Sequence, residues 1–130
     1  MNSQESKAWK EVGYSKKFTD AFRGLRVFCI STRHIYIHIL AALAAIFLGF
    51  SFRVSSFEWI ALVFAIGLVF MAEAFNTAIE IDIDLTSPEY HPYARDTKDV
   101  AAGAVLISVF VAVIIGLIIF LPKILLYVKM

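Results

Sequence analysis

From Val100 to Leu121 the chain runs for 22 residues with Ser108 as its one polar side chain. Wound as an α-helix, a run of that length is about 33 Å long, enough to cross a bilayer hydrocarbon core of about 30 Å. A helix packed on a soluble core keeps a polar outer face, and this run has none. Two further stretches share its character. Ile35–Phe52 is strongly polar only at His38, and Phe57–Ala72 is apolar apart from Glu58. The second of these continues with helical periodicity to about Asp84, and Trp59 anchors its start at the interface. The runs predict three spans at about 35–52, 57–83 and 98–121. The apolar share of the whole chain, 60%, exceeds the roughly 45–50% of soluble domains and calls for an apolar solvent.

Ahead of the first run, Phe18, Ala21, Phe22, Leu25, Phe28 and Cys29 recur at helical spacing, while Arg23 and Arg26 fall off that stripe. The pattern predicts an amphipathic helix over 18–33, lying in the membrane surface. Residues 1–17 read as a polar tail with Lys7, Lys10, Lys16 and Lys17 and no apolar segment of the kind a cleavable signal needs. The expected fold is therefore an all-α integral membrane domain over 18–130, with one surface helix and three transmembrane helices. Seven Lys and Arg precede the first span, and Arg95 and Lys98 lie between the second and third, against Arg53, Lys123 and Lys129 on the other side. By the positive-inside rule the N terminus and the second-to-third loop face the cytoplasm.

Several function classes drop out. A formal net charge of +1 offers no basic field for nucleic acid. Cys29 is the single cysteine, which excludes an intrachain disulfide and a cysteine-based metal cluster. The spacing of His34, His38 and His91 does not make a zinc site. There is no Gly-rich loop leading into Lys-Ser/Thr and no G-x-G-x-x-G, so any nucleotide must be held by loop and helix-end groups.

What remains is a polar face within the second apolar helix. Glu73, Asn76, Thr77, Glu80 and Asp84 fall within an arc of about 100° at 3.6 residues per turn. Glu73 is expected inside the hydrocarbon near the cytoplasmic boundary, with Glu80 about 10 Å further along the helix. An ionisable group in a span costs on the order of 2.5–3.5 kcal/mol on insertion scales and marks function by default. A structural contact, such as a pairing of Glu73 with Lys98, is the competing account. Lys98 and Asp99 open the third run. Lysine suits phosphate as a point charge, but taken alone the pair is better explained as a helix entry, with Thr97 as N-cap and Asp99 in the first turn.

The text Glu73-Ala74-Phe75-Asn76-Thr77-Ala78-Ile79-Glu80, followed by Asp84, Ser87-Pro88-Glu89-Tyr90-His91-Pro92 and Lys98-Asp99-Val100-Ala101-Ala102-Gly103-Ala104-Val105, resembles the bacterial diacylglycerol kinase family. Its undecaprenol kinase branch is the more similar, through the Pro-Glu-Tyr-His-Pro loop and through Arg33 with Ile37-His38. The resemblance implies a homotrimer in the bacterial cell membrane, with active sites at subunit interfaces near the cytoplasmic surface. It further implies Glu73 as catalytic base, Glu80 as a ligand of nucleotide-bound Mg2+, Asn76 as an active-site polar group and Lys98 and Asp99 at the nucleotide. Glu89, Tyr90 and His91 match the loop that touches ATP. Three positions depart from the pattern: Thr32 stands where the family carries a glutamate as second metal ligand, and His34 and Tyr36 stand where it usually has an asparagine and a basic residue. A neutral hydroxyl is a weaker Mg2+ ligand than a carboxylate.

These readings converge on transfer of the ATP γ-phosphoryl group to a membrane lipid alcohol, with undecaprenol ahead of diacylglycerol. A non-catalytic membrane packing protein, or a small ion or proton carrier using Glu73, is the reading from another class.

Overall fold

The computed structural model describes residues 14–129, and among them every element of regular structure is a helix. They are α1 (Tyr14–Ser31), α2 (Ile35–Ser51), α3 (Ser56–Thr86) and α4 (Pro92–Val128). The chain divides after Ser31 into two compact units, the first ending with α1 and the second beginning at Thr32. Lys7, Lys10 and most of the predicted polar tail lie outside the described residues.

α1 begins at Tyr14 and ends at Ser31, where the apolar stripe predicted 18–33. A stripe marks which residues share a face, and the polar turn of Lys16 and Lys17 ahead of it can be helical without joining it. Phe18, Phe22 and Leu25 line one side of α1 and are exposed, and Asp20 lies 3.8 Å from Arg23 one turn on.

In the second unit, α2 is 17 residues, about 26 Å, and stops one residue before the predicted end. Its last turn closes as a Schellman motif: Val54 N–H donates to Gly49 O and Arg53 N–H to Phe50 O. Arg53 takes the left-handed conformation, φ 49°, that the motif requires. Val54 is thereby folded back into the core.

α3 extends over 31 residues, where 57–83 was predicted. Its start is a capping box in which Ser55 Oγ accepts from Glu58 N–H and Glu58 Oε2 accepts from Ser55 N–H. Its end comes at Thr86, with Pro88 following, since proline disfavours helix in the residue before it. α4 runs for 37 residues from Pro92, beginning well before the predicted 98. The reading of Thr97 as an N-cap is therefore corrected. His91 is the N-cap, its Nδ1 accepting from Tyr93 N–H at 3.2 Å, and Pro92 supplies the first helical residue with a preset φ. Thr97 lies inside the helix and donates to Tyr93 O. Ser108 is buried, yet satisfied by donation to Val105 O at 2.7 Å.

α3 and α4 pack together along much of their length, and the compact core sits where α2 turns into α3. Val54, Leu62, Ile119 and Phe120 form it, with Leu48, Phe52, Trp59, Ala61 and Ile115 against them. Lys123 clamps the same end by donating to Glu58 Oε1 at 2.7 Å. Elsewhere the large apolar side chains face outward, Phe64, Phe110, Leu117 and Ile118 among them. Only 22% of the most apolar window of α3 and 17% of that of α4 is buried. That much exposed hydrocarbon has no counterpart on a soluble monomer. Both helices are long and apolar enough to cross a membrane.

Gly49 is the tightest point of this packing. A Cβ there would approach the Trp59 ring to 2.6 Å, and the indole also packs at a tilt against the Phe50 ring. Gly49→Ala is expected to destabilise the fold by about 1–3 kcal/mol through overpacking, read as a lower thermal midpoint in detergent. An unchanged midpoint would mean that the indole can swing aside freely.

Candidate functional site

The polar residues gather at the opposite end of the second unit from its core. α3 carries them because one face of its last four turns reads Glu73, Asn76, Thr77, Glu80, Asp84, and the other elements meet that face at successive levels.

Deepest along it, Glu73 Oε1 is 2.7 Å from Nε2 of His38 on α2. Both side chains are nearly enclosed, 13% and 16% exposed. The partner of Glu73 is thus not Lys98, as the structural account of the sequence supposed. Phe70 lies edge-on to the imidazole, and His38 also lines an apolar cavity of about 210 Å³ with small residues of α2 and α4, including Ala41, Ala42, Ala112 and Gly116.

One turn further, Thr77 Oγ1 is hydrogen-bonded to Thr32 Oγ1 at 2.8 Å, and both are buried. Thr32 precedes α2, so this pair and the His38–Glu73 pair fasten the beginning of α2 to the acidic face. Asn76 Nδ2 donates to Glu80 Oε1 at 3.0 Å, while Asn76 Oδ1 is buried without a hydrogen-bond partner among the described residues. An orphaned amide oxygen beside an exposed carboxylate is a suitable donor set for a hard cation that keeps most of its own waters. No group of three or more acidic, His or Cys side chains among the described residues is placed to cage a metal. The arrangement therefore fits a cation that arrives with phosphate oxygens rather than one held by protein alone.

At the top of the face, Lys98 Nζ donates to Asp84 Oδ1. Lys98 is brought to the acidic face as its type suggested, but against Asp84 rather than Glu73 or Glu80. Asp84, Glu89, Tyr90, His91, Arg95 and Lys98 line an open cavity of about 240 Å³ between the end of α3 and the start of α4. Glu89 and Tyr90 stand exposed in the loop, whose turn is held by Ser87 Oγ on Glu89 O. Asp99 lies one turn past Arg95, whose guanidinium also contacts Asp96. The capping role of His91 leaves its ring fixed at the cavity edge.

Glu73, Asn76, Glu80 and Lys98 were legible as types on a helix face. His38 was visible as one polar residue in an apolar run, but nothing in the sequence tied it to a residue 35 positions away. Thr77 was on the face, yet its bond to Thr32 was not foreseen. Thr32, read as a weak metal ligand, has its hydroxyl engaged by that bond.

A sequence profile described as prokaryotic diacylglycerol kinase matches residues 19–120. The chain is 41% identical to an undecaprenol kinase of Bacillus subtilis over 110 residues, covering 85% of this chain and 89% of that protein. It is 34% identical to a diacylglycerol kinase of Synechocystis, covering 83% of this chain and 62% of that protein. With a diacylglycerol kinase of Escherichia coli it shares 32% identity across 81% of each.

Thr32→Val should leave the Thr77 hydroxyl buried and unpaired, costing about 1–3 kcal/mol. Replacing both threonines by valine should recover most of that loss, because an apolar pair of the same shape leaves nothing unsatisfied. Thermal midpoints of the two single variants and the double variant in detergent measure this. Losses that simply add would deny the pairing.

Proposed function

The chain belongs to the prokaryotic diacylglycerol kinase family and is a lipid kinase, and we propose that the alcohol it phosphorylates from ATP is undecaprenol. The higher identity to the relative named undecaprenol kinase, 41% against 34% and 32% for two named diacylglycerol kinases, supports that substrate.

The observation that carries the mechanism is the enclosed carboxylate of Glu73, set on the same α3 face as Asn76 and Glu80. Glu73 acts as general base. With Oε1 engaged by His38, Oε2 receives the proton of the lipid hydroxyl as that oxygen attacks the γ-phosphorus. A new O–P bond forms, the bond from the γ-phosphorus to the bridging oxygen breaks, and ADP leaves with its electron pair. Transfer of this kind is mostly positioning and charge neutralisation, which explains how so small a scaffold can suffice. Asn76 Oδ1 and the free oxygen of Glu80 would hold Mg2+, which supplies neutralisation of phosphate charge when bound. Lys98 lies across from Asp84 at the loop cavity, and release from that carboxylate frees it for the phosphates. Glu89, Tyr90, His91 and Asp99 border the nucleotide.

In this reading residues 18–130 form the membrane lipid-kinase domain, with α2, α3 and α4 as three spans and α1 as an amphipathic helix in the interface. α2 is short for a span at about 26 Å, a mismatch that modest bilayer thinning absorbs. The Lys and Arg asymmetry supports a cytoplasmic N terminus and α3–α4 loop. The exposed apolar flanks of α3 and α4 suit a homotrimer in lipid.

Purified protein in mixed micelles, given γ-labelled ATP with undecaprenol and diacylglycerol in parallel, tests the reading. Label is expected in undecaprenyl phosphate, and Glu73→Gln should lower kcat about a hundred-fold or more, the usual worth of a general base. Preferential labelling of diacylglycerol would reassign the substrate, and wild-type turnover by Glu73→Gln would remove the assigned base.

A further inference from the structure

Glu73 must be ionised to accept a proton, and an ionised carboxylate has acceptors only. The 2.7 Å contact with His38 Nε2 is then a hydrogen bond in one sense alone: Nε2 carries the hydrogen and Glu73 Oε1 receives it. That places a hydrogen on Nε2 of the imidazole. We propose that His38 is a positioning residue for phosphoryl transfer, holding the carboxylate plane of Glu73 through Nε2–H and reserving Oε2 for the lipid hydroxyl. The inference rests on Glu73 being the base.

Three features of the surroundings support it. First, the pair is nearly sealed, at 13% and 16% exposure, so bulk water does not orient the carboxylate in place of the ring. Second, the imidazole is itself held, with the Phe70 ring edge-on at 6.5 Å between centroids and α2 wound continuously through His38. Third, charge is scarce at this depth. On α2 the 17 residues include no Asp, Glu, Lys or Arg. On α3 the nearest ionisable neighbour of Glu73 on its own face is Glu80, two turns away. The run Val100–Leu121 of α4 carries no charged residue.

The choice of histidine follows from what the base has to do. A lysine in its place would add a permanent cation and weaken the carboxylate as a base. An imidazole N–H gives a directed donor on a short, rigid ring without the permanent charge of a lysine. Glutamate has three rotatable side-chain bonds, and an active-site group displaced by about 1 Å can cost a hundred-fold in rate. The bond from His38 removes that freedom by acting through the carboxylate.

Kinetics with undecaprenol in mixed micelles, on the wild type and on His38→Leu, His38→Gln and His38→Asn, test the role. His38→Leu is expected to lower kcat about a hundred-fold while KM for ATP stays within about two-fold, because the nucleotide cavity lies further along the face. His38→Gln keeps an N–H able to reach Oε1 and should regain at least ten-fold of the loss, whereas the shorter Asn should not. In a Glu73→Gln background His38→Leu should change little, since residues acting as a unit are not additive. Near wild-type kcat in His38→Leu, additive losses, or equal turnover of the Gln and Asn variants would each overturn the proposal. Should the Leu variant fail to fold, the Gln-against-Asn comparison decides alone. Failure of the underlying reading looks different: the wild type would label neither alcohol, or Glu73→Gln would keep its turnover.

Discussion

Carrying Glu73 inside an otherwise apolar helix costs on the order of 2.5–3.5 kcal/mol on insertion scales. The hydrogen bond from His38 offsets part of that cost, and it does so only if α2 lies against α3 with one particular rotation and height. The Thr32–Thr77 bond sets the same register one turn higher. At the far end the close approach of Gly49 to Trp59 limits the same register, but in lipid there is no hydrophobic drive between helices to set it at the level of Glu73. Two enclosed polar pairs therefore fix how the first turns of α2 meet α3 beside the acidic face.

The two ends of the second unit divide the work. Around the α2–α3 turn, Val54, Leu62, Ile119 and Phe120 pack with the aromatic rings of Phe52 and Trp59, and the Glu58–Lys123 ion pair ties α3 to α4. At the other end packing gives way to hydrogen-bonding groups and to an open cavity between Asp84 and Lys98, while an apolar cavity beside His38 runs back between the helices to Leu62 and Phe120 of the core. A lipid alcohol brings a hydrocarbon tail and one hydroxyl, while a nucleotide brings charge that must stay near water. An apolar hollow deep in the helices and a charged hollow at their tips suit both.

Helix type and approximate extent were legible because apolar length is read directly against membrane thickness. The ends were less so. α4 starts at Pro92 rather than near Lys98 because His91 and Pro92 supply a cap and a first residue, a local signal that the hydropathy pattern does not contain. The same limit applies to α3, whose last turns are polar and helical together. Within the candidate site, Glu73, Asn76 and Glu80 were singled out by helical phase, which is a property of one segment. Lys98 was recognised by residue type, but its neighbour was not, because Asp84, Glu80 and Glu73 share one face and differ only in height.

The amino-acid sequence by itself determined that this chain is helical, that three of its segments are too apolar for water, and that one of these carries a line of carboxylates on a single face. Those are consequences of composition and period within continuous segments. Only the tertiary structure decided that His38 faces Glu73, that Thr32 is bonded to Thr77 and that Lys98 meets Asp84. Each of these joins residues on different segments, and the distance between them depends on how the helices rotate and slide against each other, which no periodicity along one helix encodes.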